Sequence, residues 1–168
     1  GAVEEILSCS THVVEGGKAH TLKKTHHKNK QDLVTQLSSE GFRLIAIAYR
    51  ELPSTKRVYK IADESNLTLL GFLAFLDPAK ESAGVAIKEL NNYGVQVKIL
   101  TGDNELVTRK ICDDVGLKIN RILLGSETEK MTEAELAEAV EQTTVFDKLE
   151  PAHKERVIRA LQSRGHVV

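Results

Sequence analysis

The sequence predicts an α/β protein whose second half is built on a parallel sheet. Three observations predict it. From residue 69 onward, strand-like and helix-like segments alternate four times with short links, a pattern that produces crossover connections. Leu69-Leu70-Gly71-Phe72-Leu73-Ala74-Phe75-Leu76 is a continuous apolar run whose length suits a strand buried on both faces. The helical patterns that follow stop at glycines, among them Gly94, Gly116 and Gly165.

Bulk composition narrows the function classes. The 168 residues are 41% hydrophobic, enough for one core or two small ones. With 23 basic and 24 acidic residues the net charge is -1, so there is no general attraction to nucleic acid or anionic lipid. Aromatics are 4% with no Trp, which argues against base-stacking platforms. Cys9 and Cys112 form no C-x-x-C pattern, so a zinc or redox motif is disfavoured and a reducing compartment is the simplest assumption. No apolar run approaches the roughly 20 residues that span a bilayer, and no signal peptide opens the chain. The missing initiator Met and the terminal pair Val167-Val168 read as an excised piece of a larger protein.

Taken in order, the first third is polar and rich in His and Lys, with a flexible-looking Glu15-Gly16-Gly17-Lys18. A helix is expected over 28–40, with Leu33, Val34 and Leu37 on one side and Gly41 as its left-handed cap. A strand follows over 42–49, then a polar loop over 50–65. After the 69–76 strand, Asp77 is placed as N-cap and Pro78 at the first helical position. Ala83, Ala86, Ile87 and Leu90 recur at helical spacing up to Gly94. A strand over 95–100 and a helix over 104–115 come next, with Val107, Ile111 and Val115 on one stripe. Ile122-Leu123-Leu124 is a short strand, and Thr132-Glu133-Ala134-Glu135 a capping box that opens another helix. Residues 143–146 form a strand, Pro151 opens the last helix, and His166-Val167-Val168 begins a further strand.

Parallel sheets bind ligands at the carboxyl ends of their strands. Here those ends are Asp77-Pro78, Thr101-Gly102-Asp103 and the segment 147–151, which could converge on one site. In Thr101-Gly102-Asp103, the glycine lets backbone approach a ligand, and the Thr hydroxyl, the amides and the next helix N-terminus suit a phosphoryl group. Read alone, the segment is equally an ordinary turn capped by Asp103 or Asn104. Lys154 sits in a first helical turn, where the helix dipole disfavours a cation. An anion opposite it, or simple solvation, would account for it. Asp77 is either a carboxylate that orients a Lys or bears on a metal, or only a cap. Arg43 is either a phosphate grip or a strand-edge charge. His12, His20, His26 and His27 match no usual metal spacing. Cys112 lies on the apolar side of its helix and reads as core.

The order of these segments is more specific than any one of them. Gly1-Ala2-Val3-Glu4-Glu5, Gly41-Phe42-Arg43, Leu76-Asp77-Pro78-Ala79-Lys80, Thr101-Gly102-Asp103 and Glu150-Pro151-Ala152-His153-Lys154 together resemble the P-type ion-pumping ATPases along essentially the whole chain. Ala62-Asp63-Glu64-Ser65, Val97-Lys98-Ile99-Leu100, Glu105-Leu106-Val107, His153-Lys154-Glu155-Arg156 and Gly165-His166-Val167-Val168 resemble the bacterial magnesium-transporting subgroup.

The resemblance implies that residues 1–76 are the C-terminal part of a nucleotide-binding (N) domain of α+β type. It implies that residues 77–168 are part of a phosphorylation (P) domain with a haloacid-dehalogenase-like Rossmann fold. In that family ATP phosphorylates the Asp of D-K-T-G-T, and the acyl phosphate drives ion movement through a separate membrane domain. Arg43 then matches a residue that contacts the nucleotide phosphates. Thr101, Gly102 and Asp103 match the loop holding the transferring phosphoryl group. Lys154 matches the lysine that neutralises charge at the phosphorylated Asp, and Asp77 the hinge carboxylate near it. Lys148 stands where many relatives carry a nucleotide-contacting Arg, supplying charge without the fork. The implied partners are ATP, Mg²⁺ and a transported cation, Mg²⁺ by subgroup. The implied location is the cytoplasmic side of a bacterial inner membrane.

D-K-T-G-T and the magnesium-binding G-D-G-x-N-D are absent from the sequence. The Lys of the family's K-G-A would precede Gly1. The isolated chain is therefore expected not to hydrolyse ATP. A pump for calcium or another cation is the nearest rival. A soluble haloacid-dehalogenase phosphatase is a second, but it needs a nucleophilic Asp with another two residues later, where this chain has Ala79. A non-catalytic receiver-like module is the third, and leaves the first third unexplained.

Overall fold

The computed structural model describes residues 1–55 and 58–168, with the side chains of all but Lys24, Thr25 and His26. The His26 part of the metal reading thus lies outside what is described. The chain divides into two compact units. One comprises residues 1–38 and 42–76, the other residues 77–168 with 39–41.

The first unit contains α1 (Val3–Cys9), β1 (Ser10–Glu15), β2 (Lys18–Thr21), α2 (Lys24–Ser39), β3 (Phe42–Tyr49) and β4 (Leu67–Leu76), with a 3-10 turn at Ile61–Asp63. Its sheet has the order β2-β1-β4-β3 and is mixed: β1 runs parallel to β4, and the two outer pairs are antiparallel. The flexible-looking glycine pair is a hairpin turn. Gly16 and Gly17 have φ of 58° and 78° and join Glu15 to its register partner Lys18. Two consecutive positive φ values are what a two-residue hairpin matched to strand twist demands. Leu7, Val13, Ala46 and Leu69 form the core, with Val3, Ile6, Leu22 and Phe72 packed against it.

β4 corrects two expectations. It belongs to this mixed sheet and not to the parallel one, pairing from Phe42↔Leu76 to Tyr49↔Thr68 with β3. Nor is it buried on both faces. Leu67 and Leu69 are buried, whereas Leu73 and Phe75 are both 48% exposed and Leu76 is 58% exposed. The core residues sit over the first half of the strand, and cross-strand bonds satisfy the backbone of the second half without covering its side chains.

The second unit contains α3 (Glu81–Asn92), β5 (Ile99–Leu100), α4 (Glu105–Asp114), β6 (Ile122–Leu124), α5 (Gly125–Lys130), α6 (Glu133–Gln142), β7 (Val145–Asp147) and α7 (Pro151–Ser163). The strands form a parallel sheet of order β5-β7-β6. Strand side chains alternate between faces, and β7 shows it. Val145 joins Cys112 and Leu117 in one cluster, with Ile87, Ile99 and Ile122 packed on it. Phe146 joins Leu136, Val140, Val157 and Leu161 in another. The sheet is thus covered by α4 on one face and by α6 and α7 on the other. Cys112 is fully buried, as its apolar position predicts, and burial pushes its thiol up to about 11, the Asp147 and Asp113 carboxylates adding to the effect.

Local chemistry explains where these helices begin. Asn104 caps α4 by accepting the Val107 N–H at 3.1 Å. Thr132 and Glu135 form the expected capping box of α6. Pro151 occupies the first turn of α7. Other boundaries moved. α3 starts at Glu81 with Lys80 as cap, so Asp77 and Pro78 precede the helix and do not open it. The strand expected over 95–100 is reduced to Ile99–Leu100, and residues 166–168 form no strand. α5 was not expected.

Candidate functional site

The loop after β5 is organised by its own side chains. The Thr101 hydroxyl donates to Asp103 Oδ2 at 3.0 Å and accepts the Asp103 N–H at 3.0 Å. Three backbone bonds then tie the loop to the end of β7. Thr101 N–H donates to the Phe146 carbonyl at 2.9 Å, Lys148 N–H to the Asp103 carbonyl at 3.2 Å, and Leu149 N–H to the Thr101 carbonyl at 2.9 Å. Two of the three expected strand ends therefore meet in one backbone network.

Gly102 is exposed at the tip of this loop. Its φ is not in the left-handed region, and a Cβ there would meet the Leu149 carbonyl oxygen at an ordinary 3.6 Å. The glycine is not forced by the turn; what it provides is bare backbone on the outer side of the loop. Lys148 does adopt a left-handed conformation, with φ 51°. That non-glycine conformation turns the chain out of β7 and into α7. Lys154 follows in the first turn of α7, half-buried, with its N–H on the Glu150 carbonyl at 3.2 Å.

The remaining site candidates fall elsewhere. Arg43 is exposed on β3 in the first unit, opposite Phe75 in register. Asp77 is exposed where the chain passes from one unit to the other. Thr101, Gly102, Asp103 and Lys148 are the residues that the backbone network gathers.

Two residues at this strand end were not singled out by the sequence reading, which reached the second only as the start of the segment 147–151. Gly125 follows β6 as Gly102 follows β5, which is the signal that could have found it. A Cβ on Gly125 would lie 2.4 Å from the Lys148 carbonyl oxygen and 3.0 Å from His153 Nδ1. No side chain fits there without displacing backbone. His153 Nδ1 also accepts the Glu150 N–H at 3.2 Å, closing the α7 N-terminus.

The second is Asp147, the last residue of β7. It is 0% exposed, and neither carboxylate oxygen has a hydrogen-bond partner among the described residues. Alternation puts it on the Val145 face, beneath Glu105, Thr108, Arg109 and Cys112 of α4, residues whose spacing shares one helix face. The Thr108 hydroxyl is the donor beside it, and it also lies 3.1 Å from the Asn104 carbonyl, to which it bonds. Burial holds the Asp147 carboxyl above the usual aspartate range. Thr108 and Arg109 oppose this, while Glu105 and Asp103 reinforce it.

Among the described residues no three His, Cys, Asp or Glu side chains could hold a metal ion together, and no helix is long and apolar enough to cross a membrane.

Comparison with known proteins adds to this geometry. Residues 1–82 match the family model described as P-type ATPase, cytoplasmic domain N. The whole chain aligns with the magnesium-transporting ATPase, P-type 1, of Escherichia coli K12 at 41% identity, and with that of Salmonella typhimurium LT2 at 44%. It aligns with the calcium-transporting ATPase of Bacillus subtilis at 28%. In each case all of this chain is covered but only 19% of the relative, so the chain spans about a fifth of their length. With the ordered motifs, the N-domain match over residues 1–82 and the alignment over its full length, the chain is similar to the P-type ATPases throughout.

Proposed function

We propose that the chain is a cytoplasmic segment of an ATP-driven magnesium transporter of the bacterial inner membrane. The observation that carries this is the alignment of all 168 residues with magnesium-transporting ATPases at 41–44% identity, against 28% for a calcium pump. Residues 1–76 serve as the later part of an N domain, and residues 77–168 as part of a haloacid-dehalogenase-like P domain.

In this reading ATP with Mg²⁺ supplies the phosphoryl group, accepted by an Asp outside these residues. The chain's own groups bind and orient. Gly102 presents bare backbone to the phosphoryl oxygens, and the Thr101 hydroxyl, which donates to Asp103 in the free loop, exchanges that acceptor for a phosphoryl oxygen. Lys154 sets a positive charge at the α7 N-terminus, where the helix dipole already favours an anion. Arg43 and Lys148 contact the nucleotide phosphates, and Asp77 orients Lys154 from the hinge. The chain contains neither D-K-T-G-T nor G-D-G-x-N-D, so it positions groups and does not itself turn over ATP.

The test is a chimera in which these 168 residues replace the matching segment of the E. coli magnesium-transporting ATPase. It should restore growth at limiting Mg²⁺ and form an acid-stable phosphoenzyme from γ-labelled ATP. Lys154→Met should abolish phosphoenzyme formation. A folded, membrane-inserted chimera that takes up no label would overturn the proposal, as would label on the isolated 168-residue chain. Growth rescue by calcium in place of Mg²⁺ would favour the rival cation.

A further inference from the structure

Buried acids are ordinarily paired, because removing a carboxylate from water is costly and an unmade hydrogen bond adds to that cost. Asp147 breaks this rule at a particular place. It is fully buried, both its oxygens lack hydrogen-bond partners among the described residues, and it lies between Phe146 and Lys148. Those two neighbours make backbone bonds to Thr101 and Asp103, and Leu149 makes the third.

The charged and titratable groups around Asp147 do not rescue it. α4 presents Glu105, Arg109 and Cys112, and the loop presents Asp103. Two of these are acids, and the buried thiol is a poor acid. Arg109 is drawn away to Glu105 at 2.7 Å. The register partner on β6 is Leu124, which offers no charge, and Lys148 is exposed. The pocket thus accepts an uncharged carboxyl and opposes a charged one.

We propose that Asp147 is a proton-controlled latch on the Thr101–Asp103 loop. Uncharged, it stays under α4 and leaves the three backbone bonds intact. Once ionised it is driven toward water, which requires the end of β7 to move and loosens the bonds at 146–149. This concerns the order of the loop, whatever anion the loop binds. The direction in pH follows from linkage. The folded chain holds the Asp147 proton more tightly than the unfolded chain does. Its contribution therefore falls as pH rises from the ordinary aspartate value toward the folded midpoint, and is level beyond it.

The test is made by NMR on the unsubstituted 168-residue chain. The Asp147 side-chain carboxyl carbon should titrate with a midpoint above the ordinary value of about 4. Protection of the Lys148 and Leu149 amides should drop through that same midpoint. Asp147→Asn should remove the pH step and keep both amides protected on the alkaline side. A carboxyl that titrates at or below the ordinary value would overturn the proposal. So would a raised midpoint with no change in those amides, or an identical pH step in the Asn variant. Should the Asn variant fail to fold, the carboxyl and amide titrations of the unsubstituted chain still decide.

Discussion

β4 is a ten-residue strand of almost wholly apolar sequence, yet much of its second half is exposed; β7 is three residues long, and every one is buried. The contrast runs against the usual inference from apolar run length to burial. What decides burial is what lies over the strand. β7 is the middle strand of its sheet, with α4 over one face and α6 and α7 over the other. β4 is also an inner strand, but the core of its unit gathers around Leu7, Val13, Ala46 and Leu69. Pairing within a sheet satisfies backbone; only a packed layer removes side chains from water.

A pair of truncations is the most direct way to break that comparison. Phe146→Ala empties a fully buried site and should cost about 3–5 kcal/mol. Phe75→Ala, at a half-exposed site on β4, should cost about 1 kcal/mol or less. Urea unfolding followed by amide exchange in each unit separates the two. Equal losses would mean that the second half of β4 is covered after all.

The next largest effect sharpens the comparison at the end of β7. Gly125→Ala puts a Cβ 2.4 Å from the Lys148 carbonyl oxygen, where only backbone movement can relieve the overlap. Overpacking of this kind costs about 1–3 kcal/mol. The loss should come with chemical-shift changes at Thr101, Asp103 and Leu149, which share the network with Lys148. Gly17 offers a control, since a Cβ there meets nothing within 4 Å and the strain is conformational alone. If Gly125→Ala leaves the 101–103 amides unmoved, the strand ends are not coupled.

How far the sequence foretold all this differs between the units for the same physical reason. In the second unit, caps and stops are local signals: Asn104, the Thr132–Glu135 pair and Pro151 each act within one turn of their own position. The helices they open were legible accordingly. α5 was not, because Gly125-Ser126-Glu127-Thr128-Glu129-Lys130 has no apolar period to read. β1 and β2 were hidden by His12 on the inner strand β1 and by Lys18 and His20 on the edge strand β2, polar residues that break the apolar alternation. The partners of β4 could not be read at all, since periodicity reports which face is apolar and not which strand lies alongside. At the site, the Thr101-Gly102-Asp103 loop was legible as a strand-to-helix junction. Asp147 was not, because a charge at the end of Val145-Phe146 looks like the first residue of a solvated turn until α4 is seen to cover it.

The smallest effect concerns an acid in the opposite situation to Asp147. Glu135 is an exposed carboxylate that accepts the Thr132 N–H and the Thr132 hydroxyl, each at 2.8 Å. The backbone bond first, then the hydroxyl, holds it below the usual glutamate range. Its sign is therefore the reverse of that for Asp147. The contribution is present above the ordinary glutamate value of about 4.3 and is lost as pH falls through the lower folded one. Thr132→Ala removes the cap and should cost about 1 kcal/mol at neutral pH. Glu135→Gln should cost less, and should remove only the acid-side loss of protection at the Thr132 amide. Acid loosening of α6 in the Gln variant as large as in the unsubstituted chain would show that the box does not stabilise through its charge. Two acids in one unit then respond to pH with opposite sign, one because its oxygens are met by donors at a helix start, the other because they are met by none.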